Sequence, residues 1–94
     1  MKIIKRNSYV KVKDLSKWGF LTDLEWNKLD YNIITKFIRA DETRLSEDKK
    51  YKVIDTTTFK NFYILLNEEN GLVYKCKKEG LIHYDDYIEN KLEE

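Results

Sequence analysis

The sequence contains no proline, one cysteine, one histidine and three glycines. With Cys76 alone the chain cannot form an intramolecular disulfide, and with His83 as the only other soft ligand it cannot complete a structural zinc site by itself. Three scattered glycines leave no glycine-rich phosphate loop, which disfavours a nucleotide enzyme. The sequence shows no signal peptide. It also has no apolar run that approaches the length of ~20 residues needed to span a bilayer. We therefore expect a cytoplasmic protein without membrane association, metal or cofactor.

The charges are numerous but balanced. Eighteen basic and seventeen acidic residues give a net charge of +1, so neither a strongly basic nucleic-acid binder nor an acidic DNA mimic is indicated. Seven Tyr, four Phe and two Trp supply the large side chains that a small core needs. We expect a single domain, residues 1–94, that buries about 60 to 65% of the surface of the unfolded chain.

The choice among residue types also hints at the source of the gene. Fifteen lysines stand against three arginines, with abundant Asn, Ile and Tyr and one alanine. An AT-rich gene encodes such a composition, which indicates a low-GC bacterium or one of its phages.

The clearest structural signal is a β-hairpin within residues 51–84. An apolar run from Phe62 to Leu66 precedes the turn at 68–71, and an alternating run from Leu72 to Lys77 follows it. Asn70-Gly71 favours a type I′ turn. Alternation predicts that Tyr74 and Cys76 share one face and that the lysines share the other. Further strands are predicted at 50–55 and 9–13, and residues 81–84 form either a turn or a last short strand.

One amphipathic helix is predicted over about 23–40. Thr22 and Glu25 form a capping box at its start, and apolar residues recur at steps of three and four from Trp26 to Ile38. We expect this face to pack on the sheet, with a partner groove or a homodimer contact as the open alternatives. Residues 41–50 read as a solvated loop.

A short C-terminal helix is predicted over 85–94. Its apolar stripe comprises Tyr84, Tyr87, Ile88 and Leu92, and Asp85 and Asp86 favour its N-terminus.

These elements define an α+β fold: a small antiparallel sheet of four to five strands, or a partly open barrel, with the two helices added. The order of strand, helical insertion, two strands, Asn-Gly turn, strand and short apolar turn resembles the small SH3-like barrels of phages and prophages of low-GC bacteria. Residues 9–12 and 51–84 carry the resemblance, whereas an insertion of roughly 30 residues departs from it. The resemblance implies a protein that binds other proteins or nucleic acids and supplies no catalytic residue.

The residues that suggest catalysis are few. Cys76 and His83 are the one pair resembling a nucleophile and a base, but no orienting group or oxyanion hole accompanies them. The acidic pairs Glu68-Glu69 and Asp85-Asp86 match no calcium loop, and adjacent residues do not face each other on a helix or strand. We expect no catalytic residue and no enzymatic activity.

Two sets of residues are candidates for binding. Tyrosines are enriched at protein interfaces, which makes the following the candidate partner-binding residues: Tyr9, Tyr31, Tyr51, Tyr74 and Tyr87. Lysines on neighbouring strands, interleaved with tyrosines, would suit phosphates and bases; the alternative nucleic-acid site comprises Lys11, Lys13, Lys52, Lys75, Lys77 and Lys78. The lysines could instead have a purely structural role, in which they protect sheet edges from aggregation.

The leading hypothesis is a non-enzymatic binding protein, encoded by a phage, that binds a host macromolecule and modulates it, for example by inhibiting a host enzyme or a defence nuclease. The alternative is a nucleic-acid-binding small β-barrel.

Overall fold

The structure, a computed structural model, describes residues 2–93 without the side chain of Glu93; Met1 and Glu94, the ends of the predicted domain and of the predicted C-terminal helix, lie outside the described residues. Seven strands occur in the described chain: β1 Tyr9–Val12, β2 Trp18–Gly19, β3 Ile38–Arg39, β4 Tyr51–Asp55, β5 Phe62–Leu66, β6 Leu72–Lys77 and β7 Leu81–His83. Three α-helices accompany them: α1 Asp23–Asn27, α2 Tyr31–Lys36 and α3 Tyr84–Glu93. Short 3₁₀ turns at Leu15–Lys17 and Lys78–Gly80 precede β2 and β7.

The strands form one curled sheet in the order β2-β6-β5-β4-β1-β7, and β3 also pairs with β6. All pairings are antiparallel except that of β3 with β6. The sheet curls into a half-barrel, and helices accompany it. The predicted α+β class is therefore confirmed. The predicted count of four to five strands is too low because β2 and β3 have only two residues each, too few for an alternating pattern to reveal.

The hairpin of β5 and β6 is confirmed, with Phe62 opposite Lys77 and Leu66 opposite Val73. Its turn differs from the predicted type I′. Asn70 does not have the positive φ that this type requires, whereas Gly71 does, at 76°. The N–H of Gly71 instead donates to the carbonyl of Asn67, which produces a longer loop that needs a left-handed residue only at its end.

The single helix predicted over 23–40 is wrong. The predicted capping box at Thr22 and Glu25 is present, but α1 ends at Asn27. Asp30 then takes an extended conformation, and its carboxylate accepts from the N–H of Asn32 to start α2. The chain becomes extended again at Ile38, whose N–H donates to the carbonyl of Gly71 beside β6. A second N-cap and a strand pairing thus interrupt a sequence whose apolar spacing remains helical.

Each face of the sheet carries its own apolar cluster. The first core cluster comprises Val10, Val12, Ala40, Leu45, Tyr51, Val53, Leu65, Tyr74, Cys76 and Leu81. Trp18 and Phe20 pack against it. The second comprises Leu21, Leu29, Ile64, Leu66 and Val73, covered by the apolar side chains of α1 and α2, so the helical segment does pack on the sheet. Leu45 is buried, which shows that the 41–50 loop, expected to be solvated, closes the first cluster.

Candidate functional site

The five candidate tyrosines do not share one surface. Tyr51 and Tyr74 are each 1% exposed and lie in the first core cluster, so their prediction as partner-binding residues is corrected. Tyr31 is 77% exposed at the start of α2. Tyr9 on β1 and Tyr87 on α3 are half-buried.

The two buried tyrosines hold the 41–50 loop against the core. The hydroxyl of Tyr51 donates to the carbonyl of Ser46 at 3.1 Å and accepts from its N–H at 2.9 Å. The hydroxyl of Tyr74 donates to the carbonyl of Thr43 at 2.8 Å. Burial raises the pKa of both phenols. Sequence alternation placed the ring of Tyr74 on the apolar face, but only the fold buries Tyr51 beside it and supplies partners for both hydroxyl groups.

Tyr9 and Tyr87 belong to a cluster in which lysine ammonium groups lie over tyrosine rings. We call this cluster the tyrosine–lysine surface; it comprises Tyr9, Lys11, Lys50, Tyr84, Tyr87 and Lys91. The ammonium of Lys50 lies 4.7 Å from the ring centroid of Tyr9 and 5.1 Å from that of Tyr84. Cation–π contacts of this kind are favourable at distances up to about 6 Å, so one lysine joins the end of a loop to both β1 and α3.

The second half of this surface follows from the pairing of β1 with β7, in which Lys11 lies opposite Ile82. Because α3 begins directly after β7, its first turn lies beside β1. Tyr84 and Tyr87 stack with centroids 6.0 Å apart, and the ammonium of Lys11 lies 4.9 Å from the ring centroid of Tyr87. Lys11 is only 8% exposed, so this lysine is buried although its ammonium lies over a ring of α3.

An exposed apolar row continues from the tyrosine–lysine surface along α3. Ile88 and Leu92 follow Tyr84 at steps of four, and residues four apart share one helix face. Ile88 is 38% and Leu92 82% exposed. Exposure of the predicted stripe therefore rises along α3, from the half-buried tyrosines to the largely exposed Leu92.

The six candidate lysines are divided between distant strands. Lys11, Lys13 and Lys52 lie on or beside β1 and β4, whereas the other three lie on or just after β6. Two strands, β5 and β4, separate β6 from β1, which corresponds to about 14 Å at a spacing of ~4.8 Å per strand. Along the sheet the structure therefore separates Lys75 and Lys77 from Lys11, but the turn after β6 returns to the end of β1, where the N–H of Lys13 donates to the carbonyl of Gly80 at 2.8 Å.

Lys75 is already engaged by an acid. Its ammonium donates to both carboxylate oxygens of Glu25, at 2.8 and 3.0 Å. One of these oxygens also accepts from the N–H of Thr22 in the capping box of α1. Burial opposes ionisation of Glu25, but the hydrogen bonds from Lys75 and Thr22 outweigh it and hold the pKa of this carboxyl below its ordinary value. Lys75 thus fixes α1 on the sheet.

The candidate nucleophile lies in the core of the folded chain. Cys76 is fully buried, and burial, together with the negative charges of Asp14 and Glu79, raises the pKa of its thiol to about 12. A thiolate is the nucleophilic form, so Cys76 has the character of a core residue. His83 is engaged elsewhere, since its Nδ1 accepts from the N–H of Asp85 at 3.1 Å.

A buried carboxylate that sequence reasoning did not single out organises the turn after β4. Asp55 is 3% exposed and accepts from the N–H of Thr57, the N–H of Thr58 and the hydroxyl of Thr58 at 3.0, 3.2 and 2.6 Å. Burial disfavours the charge, but these hydrogen bonds and the nearby Arg6 outweigh it, so the pKa of Asp55 lies below its ordinary value. An Asp followed by three threonines is a signal for such a turn.

The acidic pairs make ordinary surface contacts. Glu69 forms an ion pair with Lys49 at 3.1 Å, and the Asp86 carboxylate accepts from the N–H of Lys2 at 2.9 Å. Within residues 2–93 no three His, Cys, Asp or Glu side chains lie close enough together to hold a metal ion. No helix of that same span combines the length and apolar composition that crossing a membrane requires.

In comparisons with known proteins, no family model, no curated protein and no solved structure matches this chain.

Proposed function

We propose that the chain is a non-enzymatic protein-binding domain that binds a host protein and modulates its activity, with the tyrosine–lysine surface and the adjacent row of α3 as its contact surface. In its most concrete form it is a cytoplasmic, phage-encoded inhibitor of a host enzyme or defence nuclease. The lysine-rich composition supports this source.

The observation that carries the proposal is the continuity of rings and exposed aliphatic side chains along α3. Tyr84, Ile88 and Leu92 form one row, with Tyr87 beside it. Protein interfaces combine an aromatic and aliphatic centre with a polar rim. Here the exposed Lys50 and Lys91 supply the polar rim around the rings, and the exposed row supplies apolar area that binding would remove from water.

The strand order supports the narrower proposal of an SH3-like barrel. The meander β4-β5-β6 is followed by the 3₁₀ turn Lys78–Gly80, after which β7 returns to pair with β1. The final strand beside the first supports this proposal, although the short turn lies at Lys78–Gly80 and residues 81–83, where the resemblance places a short apolar turn, form the strand β7. Such barrels host many functions, so the binding proposal depends on the surface and not on the fold.

The test is an affinity capture from a low-GC bacterial lysate with nuclease present, followed by mass spectrometry and a direct binding measurement with the identified protein. We expect a stoichiometric partner whose affinity falls at least about 10-fold when Ile88→Gln and Leu92→Gln are combined, because burying an aliphatic side chain contributes about 1.5–3 kcal/mol. Glutamine preserves helix propensity.

The matched control is Leu24→Gln. Leu24 is 76% exposed and lies on α1, a helix that is not part of the proposed contact surface. This variant should bind like the original chain. A partner that both variants retain, or that both lose equally, contradicts the proposed surface, and the absence of any nuclease-resistant partner contradicts the proposed function.

A further inference from the structure

A cleft at the end of the sheet formed by β2, β5 and β6 has a lining unlike that of the other clefts. It encloses about 310 Å³, and its wall includes Lys17, Trp18, Asn61, Phe62, Lys75 and Lys77. Four other clefts of the described chain each include at least one carboxylate in their lining, whereas this one includes three lysines and none. We call it the lysine cleft, and we propose that it binds single-stranded nucleic acid, independently of the protein partner proposed above.

The cationic part of the lysine cleft comes from two adjacent segments. Gly19 lies opposite Lys75 in the β2–β6 pairing. Lys17 lies next to Gly80, the residue before β7, because a Cβ added at Gly80 would lie 2.5 Å from the Cβ of Lys17. Lys77 is exposed at the end of β6. The Lys75 ammonium is bound to Glu25, so Lys17 and Lys77 supply the charge for phosphates.

The aromatic part is Phe62, which lines the cleft, and Phe59, which stacks on it beside the cleft. The rings of Phe59 and Phe62 have centroids 4.7 Å apart and an interplanar angle of 17°. Both residues are half-buried, and the Lys75 ammonium lies 5.1 Å from the centroid of Phe62, so the exposed part of Phe59 is the ring area available to a base. Trp18 adds a further ring in the wall. Because every base has a π-face, aromatic side chains beside cationic ones are the usual means of binding single strands without sequence preference.

The loop that carries Phe59, Lys60 and Asn61 is anchored at both ends. The residues before it, Thr57 and Thr58, are fixed by the three hydrogen bonds that Asp55 accepts, and its end enters β5 at Phe62. A loop anchored at both ends loses less conformational freedom on binding than a free segment. Lys60 is exposed on this loop and adds a cation beside the stacked rings, which favours a polyanionic strand over a neutral peptide.

The test is fluorescence anisotropy with a labelled oligothymidylate of about 15 nucleotides, a length within the usual site size of small ssDNA-binding folds. We expect binding that weakens with salt. Combining Lys17→Gln with Lys77→Gln should lower the magnitude of the log–log salt slope by about 0.7 per lysine. Combining Lys28→Gln with Lys36→Gln, exposed lysines of the helical segment, is the matched control and should change the affinity less than about 2-fold.

A second readout separates stacking from charge alone. In a Trp26→Phe background, Trp18 is the one tryptophan, and oligothymidylate should quench its fluorescence. Phe59→Leu should weaken binding about 5-fold or more, the lower bound for loss of stacking on one base. Circular dichroism melting identifies any variant that fails to fold, and the quenching measurement does not depend on the Phe59 variant.

Three results would overturn the inference: no salt-dependent binding, equal losses in the Lys17/Lys77 and Lys28/Lys36 variants, or binding of inorganic polyphosphate as tight as that of the oligonucleotide without quenching of Trp18. The Ile88/Leu92 variant should bind the oligonucleotide normally, so failure here and failure of the protein-binding proposal can be distinguished.

Discussion

The buried carboxylate of Asp55 gives the sharpest test of how the turn after β4 is built. Asp55→Ala removes the acceptor for two backbone N–H groups and one hydroxyl. Hydrogen bonds to a charged group contribute about 1.5–3 kcal/mol each, but the freed N–H groups of the exposed Thr57 and Thr58 can bind water instead. We therefore expect a loss of about 2–4 kcal/mol from a total of about 5–14 kcal/mol for a chain of this length.

Asp55→Asn separates the charge from the shape. The amide keeps one oxygen for the two N–H donors and can donate to the Thr58 hydroxyl, so only the charge and its attraction to Arg6 at 3.9 Å are lost. We expect a loss of about 1–2 kcal/mol at neutral pH, the difference between charged and neutral hydrogen bonds.

The effect of pH on this difference has a definite sign. Because the native pKa of Asp55 is lowered, its charge stabilises the fold above the unfolded pKa of about 3.9, and this contribution is lost as the pH falls through the native pKa. The difference between the original chain and Asp55→Asn should therefore be full at about pH 7 and small at about pH 2.

The measurement is urea unfolding followed by tryptophan fluorescence at both pH values. Asp41→Asn, a change at an exposed carboxylate, is the control and should stay within about 0.5 kcal/mol of the original chain. An Asp55→Asn difference that is the same at both pH values, or absent at neutral pH, would refute the role assigned to the buried charge.

Two further predictions concern the packing around the sheet end. Gly80→Ala should lower the free energy of unfolding by about 1–3 kcal/mol, because the added Cβ would lie 2.5 Å from the Cβ of Lys17. Gly19→Ala should be tolerated, because the nearest atom to its Cβ would be the flexible Lys75 Cε at 3.3 Å. Equal stability of the two variants in urea unfolding would contradict this prediction. A disulfide reagent should label Cys76 at least about 100-fold more slowly in the folded chain than in denaturant, because the buried thiol has a pKa of about 12 against an ordinary value of about 8.5. Fast labelling under native conditions would show that the thiol is accessible.

The sequence by itself determined the elements whose side chains repeat with a regular period. Alternation in β1, β4 and β6 and the apolar run of β5 predicted those strands, and for β6 also the face that carries Tyr74 and Cys76. The capping box at Thr22 was equally readable, because both partners lie within one turn of helix.

Only the tertiary structure decided the features that depend on contacts between distant residues. The strand at Ile38 arises because β6 offers an unpaired stretch of its edge at Leu72 and Val73, which no local pattern reveals. Tyr51 and Tyr74 became core residues because the 41–50 loop brought carbonyl groups to their hydroxyls.

The same holds for the candidate sites. The sequence supplied the residue types, tyrosines and lysines, but strand order separated Lys75 and Lys77 from Lys11 by three strand spacings and brought Lys50 and Tyr84 to Tyr9 instead. A binding surface is a set of side chains adjacent in space, and adjacency between strands is set by burial of the whole sheet, a property that no single stretch of the chain contains.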